Sequence, residues 1–419
     1  MSTTIISADT IVAGTAFTWT AANEQLVIAP DTILASTGGV AIQDMDLDNL
    51  SVTILGTVIS DSNTNGNGED SLFHIATGGR FISTESSHSQ WGLGRDGGSG
   101  NASIIIDGSF TALQTSGFVA RGNTNIVVTG EVSAGSSALL IGYSGGVGDT
   151  LTNSGTITGG LRDVQDETNA EHYFVSGVWV AGSNTRITNL AGGTITTLAE
   201  NGSSSDEPGA VEYRNNSSGA VLRNYGDIIS LHGHGVDMDS ASVVTNMSLM
   251  NFGTIQGSIG SLRASDYADT FHNRGLMDGD VDMGTGNDTF DNRAGDVDGD
   301  VLLGAGDDFY DGRLDAYVTG AILGGDGDDV IYGGHNADLI EGGENNDELR
   351  GNGGNDEIRG DNGDDMMLGN DGDDELIGGN GNDSLFGGRG NDVLNGGNDN
   401  DRINGGDGDD RIIAGGGTD

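Results

Sequence analysis

Aspartate recurs at every ninth position along the final quarter of this 419-residue chain: Asp329, Asp338, Asp347, Asp356, Asp365, Asp374, Asp383, Asp392, Asp401 and Asp410, with Asp419 closing the series. Each stands sixth in a nonapeptide. Ten such nonapeptides run without insertion from Gly324 to Ile413, beginning GGDGDDVIY, GGHNADLIE and GGENNDELR, and an eleventh starts at Ala414. Upstream, Asp288 in GTGND and Asp308 in GAGDD occupy the same place in longer repeats. Carboxylates at fixed spacing in Gly- and Asn-rich turns offer hard oxygen ligands on a flexible backbone. That set suits Ca²⁺ better than Mg²⁺, which demands a tighter octahedron. The absence of cysteine removes thiolate metal sites and any disulfide framework.

Position eight of each nonapeptide is as constant as position six, and it is always large and apolar: Ile331, Ile340, Leu349, Ile358, Met367, Leu376, Leu385, Leu394, Ile403 and Ile412. Six turn-forming residues followed by three centred on one apolar side chain predict a turn and a short strand. Two repeats then close one coil of a parallel roll. A solvated acidic tail has no reason to place one apolar residue at every ninth position. One inward side chain per strand makes a thin core, too small to offset the entropy of ordering two nonapeptides per coil. Metal must therefore contribute to folding.

Before the nonapeptides the period lengthens. VDMGTGNDTFDNRAGDVDGD (281–300) and VLLGAGDDFYDGRLDAYVTG (301–320) are successive copies, and a weaker, shifted copy occupies 261–280. Further back an apolar strand, a turn and an N-x-G-x-I step recur from Ser137, Gly177, Ala210 and Gly235, interrupted by polar insertions near 160–175 and 199–208, with another near 61–71. β-Branched strands between Gly, Asn and Ser turns, with no helical period, predict an all-β chain. The reading is a right-handed parallel β-helix over 1–260, transitional coils over 261–323, and a C-terminal calcium-binding parallel β-roll over 324–419 that stops within its eleventh repeat. A β-sandwich is the alternative for the least regular stretch, 1–130.

Charge narrows the partners. The chain has no Lys, and its 16 Arg face 64 Asp and Glu, for a net charge of -48. Nucleic acid is excluded as a partner, and an anionic membrane surface is disfavoured. Such a chain repels itself unless counter-ions are held in place. Gly 76 with Pro 2 excludes collagen and proline-rich disorder, so the glycines serve turns. No apolar run is long enough for a transmembrane segment, and the N-terminus has neither the basic nor the apolar region of a Sec signal.

The nonapeptides resemble G-G-x-G-x-D-x-U-x, the calcium-binding repeat of the RTX (hemolysin-type) proteins, strongly over 324–419 and moderately over 281–323. The resemblance implies Ca²⁺ ions lying between turns of successive coils. Their ligands would be the position-six carboxylates and the carbonyls of turn glycines such as Gly325, Gly327, Gly379, Gly381, Gly388, Gly390, Gly406 and Gly408. Some repeats depart from the pattern, with Asn336, Asn345 and Asp399 at position four and Asn352, Asp361 and Asn370 at position two. Asn and Asp tolerate left-handed backbone, so these turns are expected to survive with altered affinity. The resemblance also implies type I secretion to the cell surface or beyond, with folding switched on by Ca²⁺ at extracellular concentrations, against site affinities of about 10⁻⁴–10⁻³ M. Such repeats usually precede an uncleaved C-terminal secretion signal, so the chain is expected to continue past Asp419.

For the N-terminal two-thirds two functions compete. Monotonous Ser, Thr, Asn and Gly coils favour a structural or adhesive solenoid. A polysaccharide-active enzyme, a uronate epimerase or lyase, is the alternative and needs a base and a group to neutralise the sugar carboxylate. Candidates for those roles are Arg223, Tyr225, His232, His234, Asp237 and Asp239, with Glu212, Tyr213 and Arg214 one coil earlier. Stacked coils could bring Tyr213, Arg214 and Asp237 onto one face, against the plainer expectation that HGHG is a turn and these are outward strand residues. No epimerase or lyase signature is spelled out, so the expectation leans away from catalysis and no catalytic residue is assigned. Asp163, Asp166, Glu167, Glu171, His172 and Tyr173 form a second polar cluster in the 160–175 insertion, and GNGED near Asp70 a third. Trp19, Trp91 and Trp179 could stack on sugar; alternation turns Trp179 away from its flanking valines, and so outward if those face the core. The expected partners are calcium, a polysaccharide or cell-surface glycan, and further copies of the chain through solenoid ends or faces.

Overall fold

The computed structural model describes residues 2–13, 15–18, 22, 24–37, 41–43, 50–60, 65–66, 71–83, 91–93, 102–112, 118–120, 122–135, 137–141, 147–160, 176–198, 209–213, 217–238 and 247–418. Among them every regular element is a β-strand and every strand pairing is parallel. The chain is an all-β parallel solenoid and divides into two units, Met1–Val244 and Thr245–Asp419.

In the first unit each coil contributes strands to two or three faces. The first face stacks Ser2–Ile6, Glu24–Ile28, Ser51–Ile54, Leu72–Ile75, Ala102–Ile106, Thr124–Val128, Thr150–Asn153, Arg186–Asn189 and Val221–Asn224. The second runs from Thr10–Ala13 to Asp227–Ser230, and the third from Asn65–Gly66 to His234–Asp237. Side chains alternate in and out along each strand, so identical positions stack into inward columns. On the first face Leu26, Val52, Phe73, Ile104, Ile126, Leu151, Ile187 and Leu222 form one such column, all buried.

The neighbouring inward column changes chemistry along its length. It begins Ile28, Ile54, Ile75, Ile106, Val128 and continues Asn153, Asn189, Asn224. These asparagines are fully buried yet satisfied. Asn153 Nδ2 donates to Asn189 Oδ1 at 2.8 Å, and Asn189 Nδ2 to Asn224 Oδ1 at 2.9 Å. Asn153 Oδ1 also accepts the N–H of Gly155 at 3.1 Å, as Asn224 Oδ1 does from Gly226 at 3.2 Å. The N-x-G step is thus a side-chain ladder that closes each turn, which is how a polar group can occupy the core without cost.

The second unit also begins with three faces of parallel strands. Its first face carries the column Leu249, Phe271, Phe290, Tyr310, Ile331, Leu349, Met367 and Leu385. The second face ends at Tyr317–Val318. Beyond it each coil is two nonapeptides and two strands, as in Glu348–Gly353 with Glu357–Asn362. Aromatic rings fill the wider three-faced coils; Ile, Leu and Met suffice once the second face is gone. Every position-eight residue from Ile331 to Leu394 points inward and is fully buried, which is the thin core expected from the period.

Candidate metal centre

All but one of the nonapeptide turns from Gly324 to Ile413 are shaped by two backbone inversions. The residues at positions two and four have φ in the left-handed half of the map, including Gly325 (113°), Gly327 (132°), Gly379 (119°), Gly381 (129°), Gly388 (123°), Gly390 (132°), Gly406 (106°) and Gly408 (140°). Asn345, Asn352, Asp361, Asn370 and Asp399 adopt the same conformation with φ between 72° and 79°. Five of the six departures from glycine therefore keep the turn, because a short polar side chain tolerates this region. Asn336 does not adopt it, and neither does Gly334 in the same repeat.

The turn packs the position-six aspartate against the glycine at position one, in the non-inverted turn of Gly333 and Asp338 as in the inverted ones. A Cβ on Gly324, Gly342, Gly360, Gly369, Gly378 or Gly387 would overlap Oδ2 of the aspartate five residues on, and meet the carbonyl oxygen of the position-one glycine in the next coil. A carboxylate oxygen and a carbonyl oxygen thus converge above each of these glycines.

Coil by coil the aspartates form two ladders. The N–H of each residue donates to Oδ1 of its counterpart one coil later: Asp269 to Asp288, then Asp308, Asp329, Asp347, Asp365, Asp383 and Asp401, at 2.7–2.9 Å. On the other edge Asp338 donates to Asp356, then Asp374, Asp392 and Asp410, at 2.9–3.1 Å. Position-five residues make an outer copy, as when Asp364 N–H donates to Asn346 Oδ1 and Asn382 N–H to Asp364 Oδ1. Only one oxygen of each inner carboxylate is used. Oδ2 of Asp288, Asp308, Asp329, Asp347, Asp356, Asp365, Asp374, Asp383 and Asp392 is buried without a hydrogen-bond partner.

Such oxygens are costly as anions. Burial first, and neighbouring carboxylates second, raise Asp288 and Asp347 to about 8, and Asp329, Asp356 and Asp383 to about 7, against the backbone hydrogen bond that lowers each. Asp308, Asp365 and Asp374 rise to about 6, again mainly through burial. A cation beside Oδ2 removes both penalties. Among the described residues no three His, Cys, Asp or Glu side chains gather as a metal-holding group, so any ion here takes carbonyls as well as carboxylate. Orphaned carboxylate oxygens beside backbone carbonyls in glycine turns fit Ca²⁺, a hard ion that accepts such mixed oxygen shells.

Two aspartates differ. Asp338 has its Oδ2 taken by the N–H of Gly334 at 2.7 Å. Asp269, which the sequence pattern did not single out, heads the first ladder and has Oδ2 bound by both the N–H (3.1 Å) and the hydroxyl (2.8 Å) of Ser265. SDYAD at 265–269 has no glycine, so only its distance from Asp288 could have pointed to it.

The other singled-out residues are placed apart. In the first unit, Arg223 lies on the first face and Tyr225 on the turn after it, whereas Glu212, Tyr213, His234 and Asp237 lie on the third face. Tyr213 is fully buried and Glu212 and Asp237 nearly so, in place of the outward positions expected; the third-face strands are covered on both sides here. Glu212 Oε2 accepts the hydroxyl of Ser176, and register puts Asp237 beside Glu212. Trp179 does point away from Val178 and Val180, as alternation requires, but it is only 6 % exposed, packed on Leu140 one coil earlier. It is no exposed platform. Arg214, Asp239, Trp19, Asp70, Asp419 and the cluster from Asp163 to Tyr173 lie outside the described residues, as does the side chain of Trp91.

Residues 321–349, 341–376, 368–403 and 386–419 each match the family model of the RTX calcium-binding nonapeptide repeat. No curated protein and no solved structure matches the chain. Among the described residues no helix is long and apolar enough to cross a membrane.

Proposed function

We propose, from the premise that residues 321–419 are RTX calcium-binding nonapeptide repeats, that this chain is a secreted β-solenoid with a structural or adhesive role outside the cell, whose C-terminal roll folds on binding Ca²⁺. One observation carries the reading: nine buried carboxylate oxygens in successive turns have no hydrogen bond to satisfy them. A metal-free roll must either protonate these groups or hold unpaired charges out of water, and neither favours folding at neutral pH. Ca²⁺ supplies the missing positive charge when bound. Asp288, Asp308 and the position-six aspartates other than Asp338, whose Oδ2 the Gly334 N–H already occupies, would hold it through Oδ2, while the turn glycines leave room for the ion and aim their carbonyls at it.

Binding that exists only in the folded state stabilises that state by mass action. Affinities of about 10⁻⁴–10⁻³ M leave the roll unfolded where Ca²⁺ is scarce and folded where it is millimolar. A chain exported unfolded would meet that difference on leaving the cell. The repeat type supports type I export and a surface or matrix location. For the N-terminal coils the adhesive role rests on the polar residues that alternate outward along the strands, such as Thr150, Thr152, Thr194 and Thr196, and polysaccharide or another copy of the chain is the partner to screen first.

The test is a Ca²⁺ titration of chelator-treated full chain, followed by far-UV circular dichroism and by hydrogen exchange resolved along the sequence. The reading expects a steep gain of β-structure, with new protection concentrated between about residue 281 and residue 418. No Ca²⁺-dependent gain there would overturn it.

A further inference from the structure

The two exceptional aspartates occupy corresponding places. Asp269 is the first rung of one ladder and Asp338 the first rung of the other. In both, the residue four positions earlier, Ser265 or Gly334, has ordinary backbone and directs its N–H to the carboxylate Oδ2. In the open turns the residue four before the aspartate is inverted: Gly284 before Asp288, Gly304 before Asp308, Gly343 before Asp347, Asn352 before Asp356. So is the residue two before, for instance Gly286, Gly306, Asn345 and Gly354. Inversion takes the N–H away from Oδ2, and in those turns Oδ2 has no partner. Tyr267 and Asn336, two before the exceptional aspartates, are not inverted.

We propose that the chain contains two classes of turn: closed turns at 265–269 and 334–338, which take no ion because a backbone N–H already occupies the Oδ2 that faces the turn, and open turns, whose Oδ2 is left for one. Each ladder begins on a closed turn. The ion-taking turns of the first ladder begin at Asp288 and Asp308, upstream of the matched repeats; those of the second begin at Asp356, a full coil into them. The closed turns act as ion-independent ends on which the next coil stacks, presenting the N–H of Asp269 or Asp338 to the first open-turn carboxylate, Asp288 or Asp356. Stability in such stacked arrays is passed between nearest neighbours, so an end that needs no ligand gives the first ion a folded surface to bind against.

The proposal rests on the calcium-binding reading of the roll, and its test separates the two. Bound Ca²⁺ is counted by native mass spectrometry and by flow dialysis for the parent chain, Asp338→Asn, Asp374→Asn, and a triple variant, His335→Asp/Asn336→Gly/Ala337→Asp, that rebuilds GGHNAD as GGDGDD. Asp338→Asn is expected to bind as many ions as the parent and Asp374→Asn at least one fewer. The triple variant is expected to bind one more, a readout that stands even if Asp338→Asn fails to fold. If Asp338→Asn loses as many ions as Asp374→Asn, or the rebuilt turn gains none, the two-class assignment is wrong. A parent chain that binds no Ca²⁺ instead overturns the functional reading.

Discussion

Gly378 and Asp383 face each other across one turn so closely that the glycine has no room for a side chain: a Cβ would overlap Asp383 Oδ2 and the carbonyl oxygen of Gly396 in the next coil. The position-one glycine is therefore kept for close approach. Its φ lies outside the left-handed region that positions two and four require.

Gly378→Ala accordingly pushes apart the two oxygens offered to the ion. The Ca²⁺ midpoint for folding is expected to rise by on the order of tenfold, the equivalent of about 1.4 kcal/mol. Gly192→Ala is the control, because its φ is 83° but nothing lies within 4 Å of a new Cβ. It should cost about 1–2 kcal/mol of backbone strain and leave the Ca²⁺ midpoint where it was. Paired titrations by circular dichroism check both.

Asp365→Asn keeps the shape of the rung and its acceptor for the Asp347 N–H, but removes the charge. Ligand charge tunes Ca²⁺ affinity strongly, so the midpoint should rise by about tenfold and the transition should become less steep. In chelator the substitution should instead stabilise the roll, since one buried unpaired anion is gone. Opposite signs with and without Ca²⁺ are the signature to look for.

The pH dependence follows from the raised carboxyls. Groups at about 6 to 8 in the folded metal-free roll, such as Asp365, Asp329 and Asp347, bind protons more tightly than in the unfolded chain. Their effect is destabilising once pH exceeds the ordinary carboxyl value, and it grows until pH passes the folded value. Metal-free roll should thus gain structure as pH falls from about 8 towards 4. Ca²⁺ competes with those protons only at folded sites, and the carboxylates of the unfolded chain are already ionised above about pH 5, so the Ca²⁺ concentration needed for folding should stay nearly flat from about 5.5 to 8 and rise only as pH falls towards about 4. Titrations at three pH values test the sign.

Asn189→Ala probes the first unit alone. It removes one of two acceptors of Asn153 Nδ2, which keeps the Thr194 carbonyl at 3.2 Å, and one donor to Asn224 Oδ1, which keeps the Gly226 N–H at 3.2 Å. With two buried hydrogen bonds lost and a cavity left in the ladder, a loss of about 1–3 kcal/mol in all is expected. The loss should be equal in Ca²⁺ and in chelator, as measured by thermal unfolding.

The regular half of this molecule was legible because its constraints are strictly local. Asp at position six and an apolar residue at position eight fix turn and strand in every repeat, and the inward placement of Ile331 through Leu394 follows from period alone. What escaped was set by backbone or by neighbouring coils. Asn336 satisfies the same residue preference as Asn345, yet only Asn345 is inverted. Asp269 lacks the glycines that mark its counterparts. Trp179 was assigned the right side of its strand but the wrong exposure, because alternation says which way a side chain points and not what lies against it.

The loss of the second face after Val318 changes what unfolding exposes. From Ile331 to Leu394 each coil buries only its two position-eight apolar side chains, and Ile412 in the last coil is exposed, so little apolar surface meets water when a nonapeptide melts. Heat capacity of unfolding scales with that surface, and polar exposure subtracts from it. The nonapeptide roll should have a heat-capacity increment per residue well below the usual ~12–15 cal/mol/K, and hence a flat, broad dependence of stability on temperature in which dissolved calcium matters more than heat.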